Sequence, residues 1–167
     1  MRKKLVVLFL ALGLLSFSVT AFAEDDFKGK SSPNEFDVGG MTGLGVVDSS
    51  AGLAIVGTIS HKIIDRGFIP DINDAVAIEA QLGTVLFLGA GVFTYSAHLR
   101  WDFTQNADWT FYALGGLGGN ITSVTLGSHF ELFPRIGAGA FWKIAENFSL
   151  RAEVSHELIG VGAVIPF

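Results

Sequence analysis

The sequence predicts an all-β chain, an eight-stranded antiparallel transmembrane up-and-down β-barrel. Three observations lead there. From Phe93 to Thr104 apolar and polar residues alternate strictly: Phe93, Tyr95, Ala97, Leu99, Trp101 and Phe103 form one row, and Thr94, Ser96, His98, Arg100, Asp102 and Thr104 the other. Side chains of a strand alternate between two faces, so this stretch has one greasy and one charged face. The same alternation recurs seven more times, an even count. Finally, glycine shares rows with charge, whereas no Asp, Glu, Lys or Arg interrupts the apolar rows within the strands.

Residues 1–23 stand apart from that pattern. Arg2, Lys3 and Lys4 precede an apolar run, Leu5 to Leu15, and Ala21-Phe22-Ala23 is an A-x-A cleavage site. This is the layout of a cleaved secretory signal peptide. Of the 11 Lys and Arg residues three lie there, leaving 8 against 16 acids and a mature net charge of −8. An acidic chain without a basic patch argues against nucleic acid as a partner. With no cysteine there is neither a disulfide nor a thiolate metal site, and no residue to carry a lipoprotein acyl chain. Of 21 glycines 20 follow the signal peptide, and each would weaken a helix by about 1 kcal/mol.

Residues 24–34 are polar, with Pro33 and two serines, and read as a disordered N-terminal tail; the barrel is expected over 35–167. Residues 35–47 form the first strand, and Asp48-Ser49-Ser50 a turn. Leu53, Ile55, Gly57 and Ile59 alternate with Ala54, Val56, Thr58 and Ser60 in the second. Residues 64–74 carry turn chemistry, Arg66-Gly67, Pro70-Asp71 and Asn73-Asp74, and form a connection. Val76, Ile78, Ala80 and Leu82 alternate with Ala77, Glu79, Gln81 and Gly83 in the third strand, until Val85-Leu86-Phe87-Leu88 makes both faces apolar. Strands four and five flank the polar break Gln105-Asn106-Ala107-Asp108. From Gly118-Gly119-Asn120 an irregular segment is expected to reach about Glu131, making 119–131 the most prominent loop. Arg135 to Ile144, Phe148 to Ser155 and Ile159 to Phe167 supply strands six to eight. Ala80–Leu99 and Trp109–Phe130 are long enough and sufficiently free of charge to suggest membrane helices. Their glycines, β-branched residues and period of two exclude that.

Alternation alone does not say which face is inside. A soluble carrier of the lipocalin kind keeps apolar residues in; a membrane barrel inverts this. Gly83, Gly116, Gly118, Gly137, Gly139, Gly160 and Gly162 lie in the rows of Glu79, Arg100, Arg135, Arg151 and Glu153. Small residues beside long charged ones suit a narrow interior rather than a solvated surface. With both termini at one end, Trp101, Phe103, Trp109, Phe111, Trp142, Phe148 and Phe167 all fall near that end, as an interfacial aromatic belt requires.

With these features the chain resembles the small bacterial outer-membrane barrels of the OmpA transmembrane and OmpX type. The last strand carries the resemblance furthest: Ile159-Gly160-Val161-Gly162-Ala163-Val164-Ile165-Pro166-Phe167 alternates and ends on an aromatic. The resemblance implies a Gram-negative outer-membrane location, contact with outer-membrane lipids and lipopolysaccharide, recognition of the last strand by the barrel-assembly machinery, and a monomer. Two features depart from it: Pro166 in the last strand, and the long connection 64–74 at the end where turns are expected to be short.

The expected lumen set is Glu79, His98, Arg100, Asp102, Arg135, Lys143, Arg151 and Glu153, paired into a plug because buried charge must be paired. A narrow pore is the alternative. Small barrels that modify lipid A use Ser, His and a carboxylate near the rim. Here Ser155-His156-Glu157 are consecutive and so point alternately, while Ser96 and His98 share the inner face, away from acyl chains. No enzyme is expected. His61, His98, His129 and His156 lack ligand spacing, and Gly115-Gly116-Leu117-Gly118-Gly119 precedes no Lys and helix, so neither a metal nor a cofactor is expected. A structural or surface-interaction role follows, with a soluble exported carrier of an apolar ligand as the runner-up.

Overall fold

The computed structural model describes residues 35–69, 71–124 and 127–167; the expected signal peptide over 1–23 and the expected 24–34 tail lie outside them. Eight strands follow in order: β1 (Phe36–Val47), β2 (Ser50–Ile64), β3 (Asp74–Phe87), β4 (Ala90–Thr104), β5 (Trp109–Val124), β6 (Gly127–Ala145), β7 (Phe148–Ser155) and β8 (Leu158–Pro166). Each pairs antiparallel with its neighbours in sequence, and β1 pairs with β8, so the sheet closes with no free edge between first and last strands. Pro166 sits at the last pair of that seam, opposite Asp37, where it spares the ladder its missing N–H. Beyond it Phe167 donates its N–H to Phe36 O at 2.8 Å.

Face orientation separates the two barrel types. Leu99 and Leu150 are 51% and 38% exposed on the outer wall, while Arg100 and Arg151, one residue on, are 3% and 2% exposed inside. A soluble carrier would have these reversed. The apolar exterior is a continuous band that includes Ile55, Ile59, Leu82, Ile136, Val154 and Val161. On β4 it runs from Phe93 to Phe103, roughly 25 Å along the barrel axis at a strand rise of ~3.3 Å and a tilt of ~40°, which matches the apolar band of membrane barrels.

The turns follow local chemistry. Asp48 and Ser49 both have positive φ, 48° and 65°, as a two-residue turn between twisted strands demands. Gly89, at φ 86°, serves the β3–β4 turn. The expected outer loop over 119–131 is corrected: strand pairing continues through it. Asn120, Ile121 and Thr122 pair with Glu131, Phe130 and His129, leaving a short tip between Val124 and Gly127. The glycines that suggested irregularity lie under aromatic rings. An added Cβ would fall 2.8 Å from the Phe133 ring at Gly118 and 2.3 Å from the Tyr95 hydroxyl at Gly119. The longest connection is instead 65–73, between β2 and β3, at the end that holds the termini.

The apolar run at Val85 to Phe87 also has an explanation. Val85 points inward at 3% exposure and joins Met41, Val47, Ala54, Val56, Val92 and Leu158 in an internal cluster, against which Phe87 packs. Both faces are apolar there because the lumen itself is apolar near the end opposite the termini.

Candidate functional site

Between that cluster and the termini lies a column of charge. Successive strands present inward residues at staggered heights, so acids and guanidinium groups from five strands and the β7–β8 turn meet along one axis. Arg100 donates from Nη2 to Asp37 Oδ2 (2.7 Å), from Nε to Asp102 Oδ1 (2.8 Å) and from Nη1 to Glu79 Oε2 (2.5 Å). Arg151 grips both oxygens of Glu79, at 2.6 and 3.0 Å, and reaches Glu153 Oε2 at 2.6 Å. Arg135 donates to Glu153 Oε1 at 2.5 Å, and its Nε lies 2.7 Å from Glu157 Oε1. The column therefore alternates: Asp37 and Asp102, Arg100, Glu79, Arg151, Glu153, Arg135, Glu157.

Its charge distribution is graded by burial. Five carboxylates face three guanidinium groups, a balance of 3 − 5 = −2 with His98 neutral. The surplus sits at the ends, where the Asp37, Asp102 and Glu157 side chains keep 23%, 17% and 17% of their exposure. Glu79 and Glu153, at 0%, each lie between two arginines. Desolvating an ion costs several kcal/mol, and close oppositely charged hydrogen-bonding partners offset it.

Neutral groups fill the remaining valences. Gln81 donates to Glu79 Oε1 (2.8 Å) and Glu153 Oε2 (3.3 Å). Tyr112 accepts from Arg151 Nε (2.8 Å) and donates to Glu153 Oε2 (3.0 Å). The Tyr112 and Phe141 rings, 4.9 Å apart, flank both Arg100 and Arg151, with the Arg100 guanidinium carbon 4.7 Å from the Phe141 centroid. This gathering requires glycine opposite. At Gly139 a Cβ would lie 2.3 Å from the Tyr112 ring, and at Gly116 it would lie 2.5 Å from His98 Cα.

Of the eight lumen residues read from the sequence, Glu79, His98, Arg100, Asp102, Arg135, Arg151 and Glu153 meet in this column. Lys143 is a correction: it is exposed and stands outside the network. The β6–β7 register shifts between Lys143 and Ala145 beside the turn, so Lys143 lies past the last enclosed level of the lumen. Asp37, Gln81, Tyr112 and Phe141 join the column beyond the expected set, and Glu157 enters it from the rim stretch Ser155-His156-Glu157. Gln81 and Phe141 could have been included in that set, since they share rows with Glu79 and Arg135. Asp37 and Glu157 sit at strand ends, where row membership is not legible.

The seven aromatic residues of the expected belt lie at the termini end. Trp109 stacks on Trp142 at 5.7 Å with rings 1° from parallel, Trp101 packs on Phe103 at 4.9 Å, and Phe111, Phe148 and Phe167 are exposed beside them. Phe36 joins them, stacked on His61 at 4.3 Å.

One nucleophile-like arrangement exists inside. Ser96 Oγ is 3.5 Å from His98 Nδ1, and His98 Nε2 is 3.1 Å from Glu79 Oε1. Arg135 already donates to that hydroxyl, Glu79 is held by two arginines, and the histidine side chain has no exposure. The trio is part of the column, its hydroxyl engaged by Arg135 and its carboxylate by Arg100 and Arg151. At the opposite rim His156 is half exposed and its Nδ1 is 2.8 Å from Glu157 Oε2, while Ser155 Oγ accepts from Leu158 N at 3.1 Å. Serine and histidine there face different partners. Among the described residues no group of three His, Cys, Asp or Glu side chains is placed to hold a metal.

Between column and apolar cluster a small cleft of about 30 Å³, partly open to solvent, is lined by Gln81, Ser96, Asn120 and Arg135 on one side and Val56 and Val85 on the other.

Set against protein-family models and curated protein sequences, the chain matches none. Solved structures do match. The N-terminal β-barrel domain of Pseudomonas aeruginosa OprF superposes with a TM-score of 0.61 at 16% identity, covering 80% of this chain and 98% of that one. A de novo designed transmembrane β-barrel gives 0.58 at 15% identity, over 83% and 99% of the two chains. Ail, the attachment invasion locus protein of Yersinia pestis, gives 0.56 at 16% identity, over 84% and 99%. The chain has the fold of the eight-stranded outer-membrane barrels of the OmpA transmembrane and OmpX type.

Proposed function

We propose that this protein resides in the outer membrane of a Gram-negative cell as a plugged, non-conducting barrel. Its role is then structural or surface-interactive and is carried by its outside. The single observation behind this is the uninterrupted alternation of acid and guanidinium along the lumen. An ion moving down that axis would have to separate the arginine pairs of Glu79 and Glu153, 2.5–2.6 Å apart, whose carboxylates have no exposure through which water could replace the lost partner. The apolar cluster above the column adds a second barrier, since it offers no polar group to a hydrated ion.

The exterior supports the rest. Lipid, including lipopolysaccharide on the outer side, is the partner that the apolar band fits, and the aromatic-ended β8 is the segment for recognition by the barrel-assembly machinery. Fold alone does not assign a role, as a designed barrel with the same architecture makes plain. The surface most suited to a partner is the tall β5–β6 hairpin, 16 and 19 residues against 8 in β7.

Two measurements test the proposal. Fractionation after expression in a Gram-negative host should place the chain with the outer membrane; recovery as a detergent-free soluble monomer would favour an exported carrier instead. In planar bilayers the purified barrel should give no steady single-channel openings, and large steady openings would refute the plug.

A further inference from the structure

The connection between β2 and β3 leaves the barrel at the termini end and folds outward along the wall rather than across the mouth. Asp74 fixes it. This residue opens β3 in the outward row of Val76 and Ile78, yet it is only 3% exposed. Its Oδ2 accepts the Trp101 indole N–H at 2.8 Å and the Phe68 backbone N–H at 3.0 Å, while Gly67 N–H donates to its backbone oxygen at 2.7 Å. Gly67 leaves the space for this: a Cβ there would lie 2.0 Å from the carboxylate. Phe68 stands edge-on to Trp101, centroids 5.9 Å apart. Val76, outward-facing, is 6% exposed, whereas Ile78 one step along the row is 49% exposed.

Pinned in this way, the connection still presents Phe68, Ile69 and Ile72 at 69%, 37% and 42% exposure, with Asp65, Arg66 and Asp71 exposed among them. A loop bathed in water gains nothing from three large apolar side chains. Phe68 is continuous with Trp101 and Phe103 of the aromatic belt, and through these with the apolar band. Interleaved apolar prongs and charges at the level of an aromatic belt match the headgroup–acyl boundary of a bilayer.

We propose that residues 65–69 and 71–73 form an interfacial foot, seated in the bilayer leaflet on the termini side and clasped to the barrel wall by Asp74, an inference that rests on the barrel spanning a membrane as proposed above. The occupant of this surface is lipid. The foot widens the barrel's footprint on the β2–β4 flank and removes from water a carboxylate that would otherwise face the lipid boundary.

The absence of cysteine makes the test direct. Nitroxide labels on Ile69→Cys and Ile72→Cys, in the full chain folded into phosphatidylcholine–phosphatidylglycerol vesicles, report collision with oxygen and with a water-soluble nickel complex. The oxygen-to-nickel ratio at both sites should exceed several-fold that of Glu146→Cys, in the β6–β7 turn at the same end. Ratios equal to that of Glu146→Cys overturn the foot. A label on Leu99→Cys keeps the two proposals apart, because nickel access there would overturn the membrane-spanning barrel itself. Spin–spin broadening at position 72 in dilute vesicles would assign the surface to a second copy and overturn lipid as the occupant. Adding Asp74→Ala to the Ile69→Cys chain should lower its ratio several-fold, and an unchanged ratio would overturn the clasp.

Discussion

Glu79 is the centre of the charge column, and its removal can be worked through in some detail. It accepts from Arg100, from both terminal nitrogens of Arg151 and from Gln81, and contacts His98. Glu79→Gln keeps the shape but sets an amide N–H against guanidinium donors and leaves three buried arginines with one fully buried carboxylate. Breaking a buried pair in this way costs about 3–5 kcal/mol. Arg151→Met should cost a similar amount, because Glu79 and Glu153 each lose one of their two arginines. The double variant is more informative. It leaves two self-contained groups, Arg100 with Asp37 and Asp102, and Arg135 with Glu153 and Glu157, so most of the second penalty disappears. The two changes should couple by at least ~2 kcal/mol, well above the ~0.5 kcal/mol within which independent sites add. Urea titration of the barrel in detergent micelles, followed by tryptophan fluorescence and heat-modifiable gel migration, measures all four corners of the cycle. Additive costs with native folding would mean that the column is a set of separate pairs, and the account of the plug as one connected structure would fail.

Leu99→Arg puts a charge on the outer wall near mid-depth and should lose about 2–4 kcal/mol in bilayers, measured by the same titration in lipid vesicles; a neutral result would place that face outside lipid. Gly139→Ala forces Tyr112 and the Ala152 carbonyl, both 2.3 Å from the new Cβ, to move, and should cost at least ~2 kcal/mol, whereas Gly115→Ala, with nothing within 4 Å on the outer wall, should change stability by less than ~0.5 kcal/mol. Lys143→Met should leave the unfolding midpoint unchanged within ~0.5 kcal/mol, since an exposed side chain outside the network carries none of its energy.

Where one face carries charge, period two reads directly from the residues, and β4 and β7 are legible for that reason, while in β8 glycine alternating with aliphatic residues does the same. Row membership then puts Glu79, Arg100, Arg151 and Glu153 on one face without any knowledge of their partners. Three things resist such reading. The identity of each pair depends on stagger around a closed sheet, which no single strand encodes. Glycine is ambiguous: Gly118 and Gly119 look like loop residues, and only the rings of Phe133 and Tyr95 reveal them as sites of close packing. The third is depth. Val85 and Phe87 blur the alternation because the lumen changes from polar to apolar along its axis, and a rule of polar inside, apolar outside has no means to express that change.

The rim constrains how the barrel sits. Pairing of β6 with β7 begins at Gly137 opposite Ser155, so among the described residues Gly127 to Ile136 pairs with β5 on one side and with no strand on the other. An unpaired backbone group in hydrocarbon costs several kcal/mol, so that edge, beyond Ile136, must lie above the acyl chains. Pro134 stands in this stretch, and proline is tolerated in edge strands because it brings no N–H to leave unpaired. The lipid boundary on the β7–β8 flank is thereby set near the turn that follows Ser155. Below it the outward row Phe148, Leu150, Ala152, Val154 spans six residue steps, against ten for Phe93 to Phe103 on β4. At a rise of ~3.3 Å and a tilt of ~40° this is roughly 15 Å against roughly 25 Å. The outward apolar row is thus shorter on β7 than on β4. The β4 side is also where Asp74 ties the Phe68 backbone and the Trp101 indole together. Because mismatch between band and bilayer is relieved by tilting or local thinning, a foot beside β4 would bear on the tilt as well as on attachment.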